Sequence, residues 1–265
     1  VAFDTETTGL IPVQERVIEL SAVKFTLDSS DYESFDELID PGFPIPESSS
    51  KINGITDKDV RGKPGIREIL LKFAEFIGDD AILLAHNSEF DVNFLGASFY
   101  QEGLEFPENE VWDTLGICRA FVNNVRDNKL ETLVRHYGIR VNSFHRALMD
   151  SVYVMEVFKK TLNICHDLEE LRKAASIRSF EAVRNDIFAV QLPLPLLKLR
   201  KLIGRYKMIK FNYRYPNGDN AVVKALPKIL FKADKVPSLL AAELGSDRPE
   251  TFELSRLSTP TEIES

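Results

Sequence analysis

The chain has 265 residues, 44% of them hydrophobic and 28% charged, with a formal net charge of −8. That is the composition of a soluble globular protein, long enough for one good-sized core and a smaller module. No apolar run approaches the ~20 residues that span a bilayer, which excludes a membrane helix, and no secretory leader pattern is present. Val1 reads as inside a strand and no methionine opens the chain, so the true start is expected upstream. Cys118 and Cys165 are far apart and lack metal-site spacing, so they read as reduced thiols of a cytoplasmic protein.

In chain order, residues 1–3 form the apolar tail of a buried strand that ends in Asp4. Residues 16–27 are β-rich, and a third strand is expected around 32–39. Three strands in succession predict an antiparallel start, closed by loop at Pro41-Gly42 and Pro44-Ile45-Pro46. Ile66, Ile69, Leu70, Phe73, Phe76 and Ile77 recur at helical spacing. Residues 81–85 form a short buried strand, and Phe90, Phe94, Leu95 and Phe99 mark a helix after it. Asp113 is expected to cap a helix over 115–122. Leu130, Leu133, Val134 and Tyr137 form another helix, ended by Gly138, and a last one runs from about 146 to 162. The order predicts an α/β domain over 1–165, a mixed sheet covered by helices.

Residues 166–197 read as a helical linker, interrupted by Gln191-Leu-Pro-Leu-Pro195. Beyond it, 198–265 read as a small, mostly β module. Residues 208–215 alternate cleanly, Pro216-Asn-Gly-Asp219 is a hairpin turn, and 221–231 is the returning strand. Between Lys198 and Lys235 there are eleven basic residues against two acids, a local charge of +9 that leaves −17 for the remainder. Such a basic appendage reads as a nucleic-acid-binding surface, its cations displacing counterions from phosphates. Tyr206, Phe211, Tyr213 and Tyr215 are interleaved with the charges as a stacking surface would be, though alternation puts some of them inside.

The acidic residues carry the chemistry. Asp4 and Glu6 end the first strand, and their two-residue spacing puts both on one face. Asp91 opens the helix after the fourth strand. Asp150 lies about one turn into the last helix, with His145 in the loop before it. Crowded carboxylates are costly unless a cation neutralises them. Hard oxygen ligands without cysteine select Mg²⁺ or Mn²⁺ over zinc, and His145 supplies a proton acceptor. This is the layout of a two-metal phosphodiesterase. Glu19 and Arg16 are expected to form a structural ion pair.

Taken together, Asp4-Thr-Glu-Thr-Thr-Gly9, Arg16-Val-Ile-Glu-Leu-Ser-Ala-Val-Lys24, Pro41-Gly-Phe-Pro-Ile-Pro46, Ile52-Asn-Gly-Ile-Thr-Asp57, His86-Asn-Ser-Glu-Phe-Asp91, Asp113-Thr114 and His145-Arg-Ala-Leu-Met-Asp150 resemble the DEDDh 3′–5′ exonucleases. That is the family of the proofreading epsilon subunit of bacterial DNA polymerase III. The resemblance covers residue 1 to about 162. It implies a ribonuclease-H-like fold, two divalent ions (Mg²⁺ or Mn²⁺) on Asp4, Glu6, Asp91 and Asp150, and His145 as general base. It also implies that Thr7 and Thr8 contact the terminal nucleotide through backbone and hydroxyl groups. Leu10 and Ile55 would wedge against bases, Phe90 would stack or pack, and His86 and Asn87 would sit beside the site. The implied activity is release of nucleoside monophosphates from 3′ ends of single-stranded DNA, with a polymerase or repair complex as partner. An RNA-trimming exonuclease with the same site, or a non-catalytic interaction subunit, are the alternatives. With His145 as base, activity is expected to rise between about pH 6 and 8. The basic module resembles in part a WYL domain, a small Sm-like barrel, but reads Pro237-Ser-Leu-Leu240 where that family has Trp-Tyr-Leu.

Overall fold

Alternating side chains on β1 (Ala2–Thr7) decide which groups meet the core on each face of the first sheet. Phe3 packs against Phe73 and Phe180 on one side, while Ala2 joins Trp112, Val154 and Phe158 on the other. Asp4 and Glu6 follow Ala2 onto that second side. The computed structural model describes residues 1–141, 144–203, 205, 207–246 and 248–263, so Tyr206 and Ser143 lie outside the described residues. The chain forms two compact units, Val1–Ala182 and Val183–Ser265.

In the first unit, β2 (Val17–Phe25) is buried along most of its length, as a strand covered on both faces must be, and β3 (Tyr32–Leu38) is its more exposed neighbour. Two short helices follow, α1 (Glu47–Asn53) and α2 (Asp57–Val60). Then come α3 (Ile66–Ile77), β4 (Leu83–Ala85), α4 (Glu89–Gln101), β5 (Val111–Asp113) and α5 (Thr114–Phe121). The unit continues through α6 (Leu130–His136), α7 (Ala147–Cys165) and α8 (Leu168–Ala174). The sheet order is β3-β2-β1-β4-β5, with β1, β2 and β3 antiparallel and β4 and β5 parallel to β1. The expected mixed sheet flanked by helices is therefore present. The strand β5 had no periodic signal because three residues are too few to show one. Within the segment expected as linker, Leu171 of α8 lies in the first unit's core, and the boundary between units falls at Ala182. No helix among the described residues is long and apolar enough to cross a membrane. Cys118 and Cys165 are free thiols.

The second unit opens with a short π-helical turn at Arg184–Phe188 and a 3-10 turn at Leu194–Leu196, followed by α9 (Leu199–Ile203). Its strands are β6 (Ile209–Arg214), β7 (Asn220–Ala233), β8 (Val236–Glu243), β9 (Glu250–Glu253) and β10 (Thr261–Glu262). They pair antiparallel in the order β10-β6-β7-β8-β9. Pro227 sits in β7 where the ladder to β8 shifts register, the place a strand tolerates a residue without an N–H. The mostly β character expected for this module is present as an open sheet. Among the described residues no ladder joins β9 to β10 to close an Sm-like barrel. The rings that alternation was expected to send inside are Phe211 and Tyr213, which point into the core with Ile209 and meet Phe252 edge-on, so they offer no stacking surface.

Candidate active site

A strand end and a helix start bring three carboxylates together. Asp4 and Glu6 project from β1 toward α7, and Asp150 returns from the first turn of α7. One carboxylate oxygen of each lies within 4.8 Å of the others. Crowding and burial hold their protons: desolvation, then the charge of Asp91, raise Asp4 well above the ordinary carboxylate range. Glu6 is pushed up to about 8 by burial and by Glu19. Asp150 rises to about 6, chiefly by desolvation.

Asp91, fully buried in the first turn of α4, stands next to this trio. Its Oδ1 accepts the backbone N–H of Thr5 at 3.0 Å and the Thr5 hydroxyl at 2.7 Å. Burial still raises it to about 7. Four acidic groups thus face one region, relieved in part by local hydrogen bonds and, at Asp150, by the nearby His145. Asp150 Oδ2 accepts the backbone N–H of His145 at 3.0 Å, while its Oδ1 is buried without a partner among the described residues. An unsatisfied buried carboxylate oxygen in a set of hard donors fits a divalent cation bound through oxygen.

The helix that carries Asp150 is itself pinned by a carboxylate. Glu19 of β2 stands opposite Glu6 in the ladder, where the register of β1 shifts between Glu6 and Thr7. Two glutamates so placed repel. Glu19 is answered by Arg146, whose guanidinium donates to it at 2.6 and 3.0 Å, and by the Ala147 N–H at 2.8 Å. The expected Glu19–Arg16 pair is therefore corrected. Arg16 instead donates to the carbonyls of Val13 and Glu15.

His145 adopts φ +60°, and its imidazole is turned to the rim, with Nε2 3.6 Å from Glu131 Oε1 on α6. Its backbone, not its ring, touches the carboxylate set.

The remaining expected contacts divide by burial. Leu10 is 82% exposed in the loop after β1. Ile55, expected as a wedge, is 3% exposed and packs with Ile18, Ile45 and Val60; the exposed apolar side chain of that segment is Ile52, at 65%. The Thr7 hydroxyl donates to the Gly9 carbonyl and the Thr8 hydroxyl to Glu15, so both are occupied inside the loop. Phe90 is half-buried against Phe94, with ring centroids 4.7 Å apart. Both ring nitrogens of His86 are engaged, Nδ1 with the Thr114 hydroxyl and Nε2 with the Asn128 carbonyl, and burial lowers its pKa. Asn87, at φ +63°, donates its N–H to Asp113, which also caps α5. Asn53 was not anticipated. It hydrogen-bonds Glu6 from the end of α1, just before Gly54 turns the chain at φ +73°. The pair Asn53-Gly54 was a legible turn signal, but nothing in it pointed to Glu6.

A helix-flanked mixed sheet with carboxylates crowded at the end of its first strand gives this α/β protein the donor set of a metal-dependent hydrolase. The family model RNase_T, described as Exonuclease, matches residues 1–158. The chain belongs to this exonuclease family, as a member of DEDDh type. It is 40% identical over 151 residues to the PolC-type DNA polymerase III of Pediococcus pentosaceus, covering 57% of the chain and 10% of that relative. With the PolC-type enzyme of Halalkalibacterium halodurans it shares 30% identity over 273 residues, 100% of the chain and 18% of the relative. The chain thus spans less than a fifth of the length of either relative. The solved structure of E. coli Exonuclease I in complex with a dT13 oligonucleotide is similar in fold, at TM-score 0.56 and 14% identity, covering 100% of the chain and 65% of that structure.

Proposed function

We propose that the first unit is a metal-dependent 3′–5′ exonuclease that releases nucleoside monophosphates from the 3′ ends of single-stranded DNA. The observation that carries this reading is the convergence of Asp4, Glu6 and Asp150, with a buried Asp150 oxygen left unsatisfied. DNA is favoured over RNA because the relatives are DNA polymerases and the similar Exonuclease I structure holds a DNA oligonucleotide.

Asp4, Glu6, Asp91 and Asp150 would hold two divalent ions, Mg²⁺ or Mn²⁺. Bound there, such ions supply charge screening for the phosphodiester and a more acidic water. The chain's own groups do the rest. Thr5 fixes Asp91, Asn53 fixes Glu6, and the His145 N–H fixes Asp150, so these three carboxylates are oriented before substrate arrives. Rotation of His145 away from Glu131 brings its ring over the carboxylates, where it takes a proton from the attacking water. Leu10 and Ile52, both exposed, would press on the terminal base, and Phe90 would offer a partly open ring. Thr7 and Thr8 would reach the nucleotide through their backbone. The carboxylate set speaks against a purely non-catalytic role.

Digestion of 5′-labelled DNA and RNA oligonucleotides of one sequence with Mg²⁺ or Mn²⁺ tests this. A ladder shortened from the 3′ end of DNA, lost in Asp4→Asn, is expected. Faster loss of the RNA would transfer the activity to RNA, and no shortening by either ion would end the enzymatic reading.

A further inference from the structure

We propose that the outward face of β6 and β7 in the second unit is a docking surface for the phosphate backbone of a nucleic-acid strand, held by Lys210, Arg214 and Lys224. The choice of nucleic acid over another polyanion rests on the nuclease reading above; the surface itself rests on the following geometry. Alternation buries Ile209, Phe211 and Tyr213, so Lys210, Asn212 and Arg214 share the opposite, exposed face of β6. The ladder sets Lys210 directly across from Lys224, Asn212 across from Val222 and Arg214 across from Asn220. Two lysines facing each other on neighbouring strands repel. Yet among the described residues neither makes an ion pair, and no carboxylate stands on this face of β6 or β7 to relieve them.

Several other cations of the unit are engaged. Arg205 and Lys207 pair with Glu262, Arg256 pairs with Glu253, and Arg200 and Lys232 bond the carbonyls of Val190 and Asn185. Among the described residues Lys210, Lys224 and Arg214 make no ion pair, nor does the exposed Lys228 farther along β7, and the exposed apolar side chains Val222 and Leu244 lie beside them. Along β6 the track from Lys210 to Arg214 is ~13 Å at ~3.3 Å per residue. Its aromatic rings point inward, so the face offers phosphates charge and sugars or bases an apolar rest, without stacking. The binding is therefore sequence-independent and strongly salt-sensitive, since each neutralised phosphate of a single strand contributes about 0.7 to the slope of log affinity against log salt.

The test uses the full chain in EDTA, so that nothing is hydrolysed, with a fluorescein-labelled single-stranded DNA oligonucleotide followed by anisotropy over a salt series. Lys210→Gln/Arg214→Gln/Lys224→Gln is expected to bind at least about tenfold more weakly at low salt, with the slope reduced by about 2. Its melting temperature should be equal or higher, because a repulsive pair is gone. Should the triple variant not fold, Lys224→Gln alone is expected to reduce the slope by about 0.7. Hydrolysis of the p-nitrophenyl ester of thymidine 5′-monophosphate with Mn²⁺, which reads only the carboxylate site, should be unchanged. Unaltered affinity and slope with ester hydrolysis intact would overturn the docking surface and leave the nuclease reading standing. Absence of ester and oligonucleotide hydrolysis in the wild-type chain, with the binding difference present, would overturn the nuclease reading instead. Loss of polyglutamate binding with oligonucleotide binding retained would assign the face to an acidic protein and also overturn the proposal.

Discussion

At the scale of single residues, the site is a contest between burial and charge. Asp150 gives one oxygen to the His145 N–H and keeps the other buried and unpaired, an arrangement that costs free energy in the absence of a cation. His145 is the opposite case: its ring faces Glu131 at the rim, and its backbone N–H is what meets Asp150. His145→Ala is expected to lower kcat by about 10²–10⁴-fold while leaving Mn²⁺ affinity nearly unchanged, as single-turnover kinetics and calorimetric titration would report. A parallel loss of metal affinity would show that the side chain acts on the ions rather than on the water. Asp4→Asn should do the reverse, removing metal binding and activity together, because its carboxylate faces Glu6, Asp91 and Asp150 at once.

Among elements, the start of α7 matters most. Glu19 on β2 fixes Arg146 and the Ala147 N–H, and so sets where the helix begins and where Asp150 points. The Glu19 side chain is 1% exposed, so removing its cation leaves a buried charge uncompensated. Arg146→Ala is expected to destabilise the chain by about 3 kcal/mol, the low end for a broken buried pair because the arginine itself is half exposed. Chemical denaturation would measure it, and a change below about 0.5 kcal/mol, the range of an ordinary surface substitution, would refute the pinning role. On the same sheet face α5 approaches the end of α8 closely: a Cβ on Gly116 would lie 2.8 Å from the Ala174 carbonyl oxygen. Gly116→Ala should therefore cost about 1–3 kcal/mol by overpacking. The bulge between Glu6 and Thr7 belongs to this scale too, since it ends regular pairing just where the carboxylates must converge.

For the whole molecule, the carboxylate cluster couples stability to pH and to metal. Asp150, Asp91 and Glu6 rise to about 6, 7 and 8 from ordinary values of 3.8, 3.8 and 4.5. Between about pH 4 and 8 the folded state consequently holds more protons than the unfolded one, and stability falls as pH rises through that window. A cation takes the place of those protons. The metal-free chain should melt at a lower temperature at pH 8 than at pH 5, and Mg²⁺ should raise the melting temperature more at pH 8 than at pH 5. Thermal scans in EDTA and in Mg²⁺ at both values check this; equal metal effects would separate the raised pKa values from ion binding.

Local pattern alone determined the longer elements of the first unit, the antiparallel opening of the sheet, the hairpin at Pro216-Asn-Gly-Asp219 and the candidacy of Asp4, Glu6, Asp91 and Asp150, because periodicity and turn chemistry act over a few neighbouring residues; the short α1, α2 and β5 carried too few residues to show a period. Side-chain destinations depended on contacts between residues far apart in the chain. Ile55 and Ile52 are equally apolar in the sequence, and only the packing of Ile55 against Ile18, Ile45 and Val60 sends one inside and leaves the other in solvent. The partner of Glu19 lies 127 residues away, beyond any spacing rule, and was decided by which cation the fold carried to a buried carboxylate.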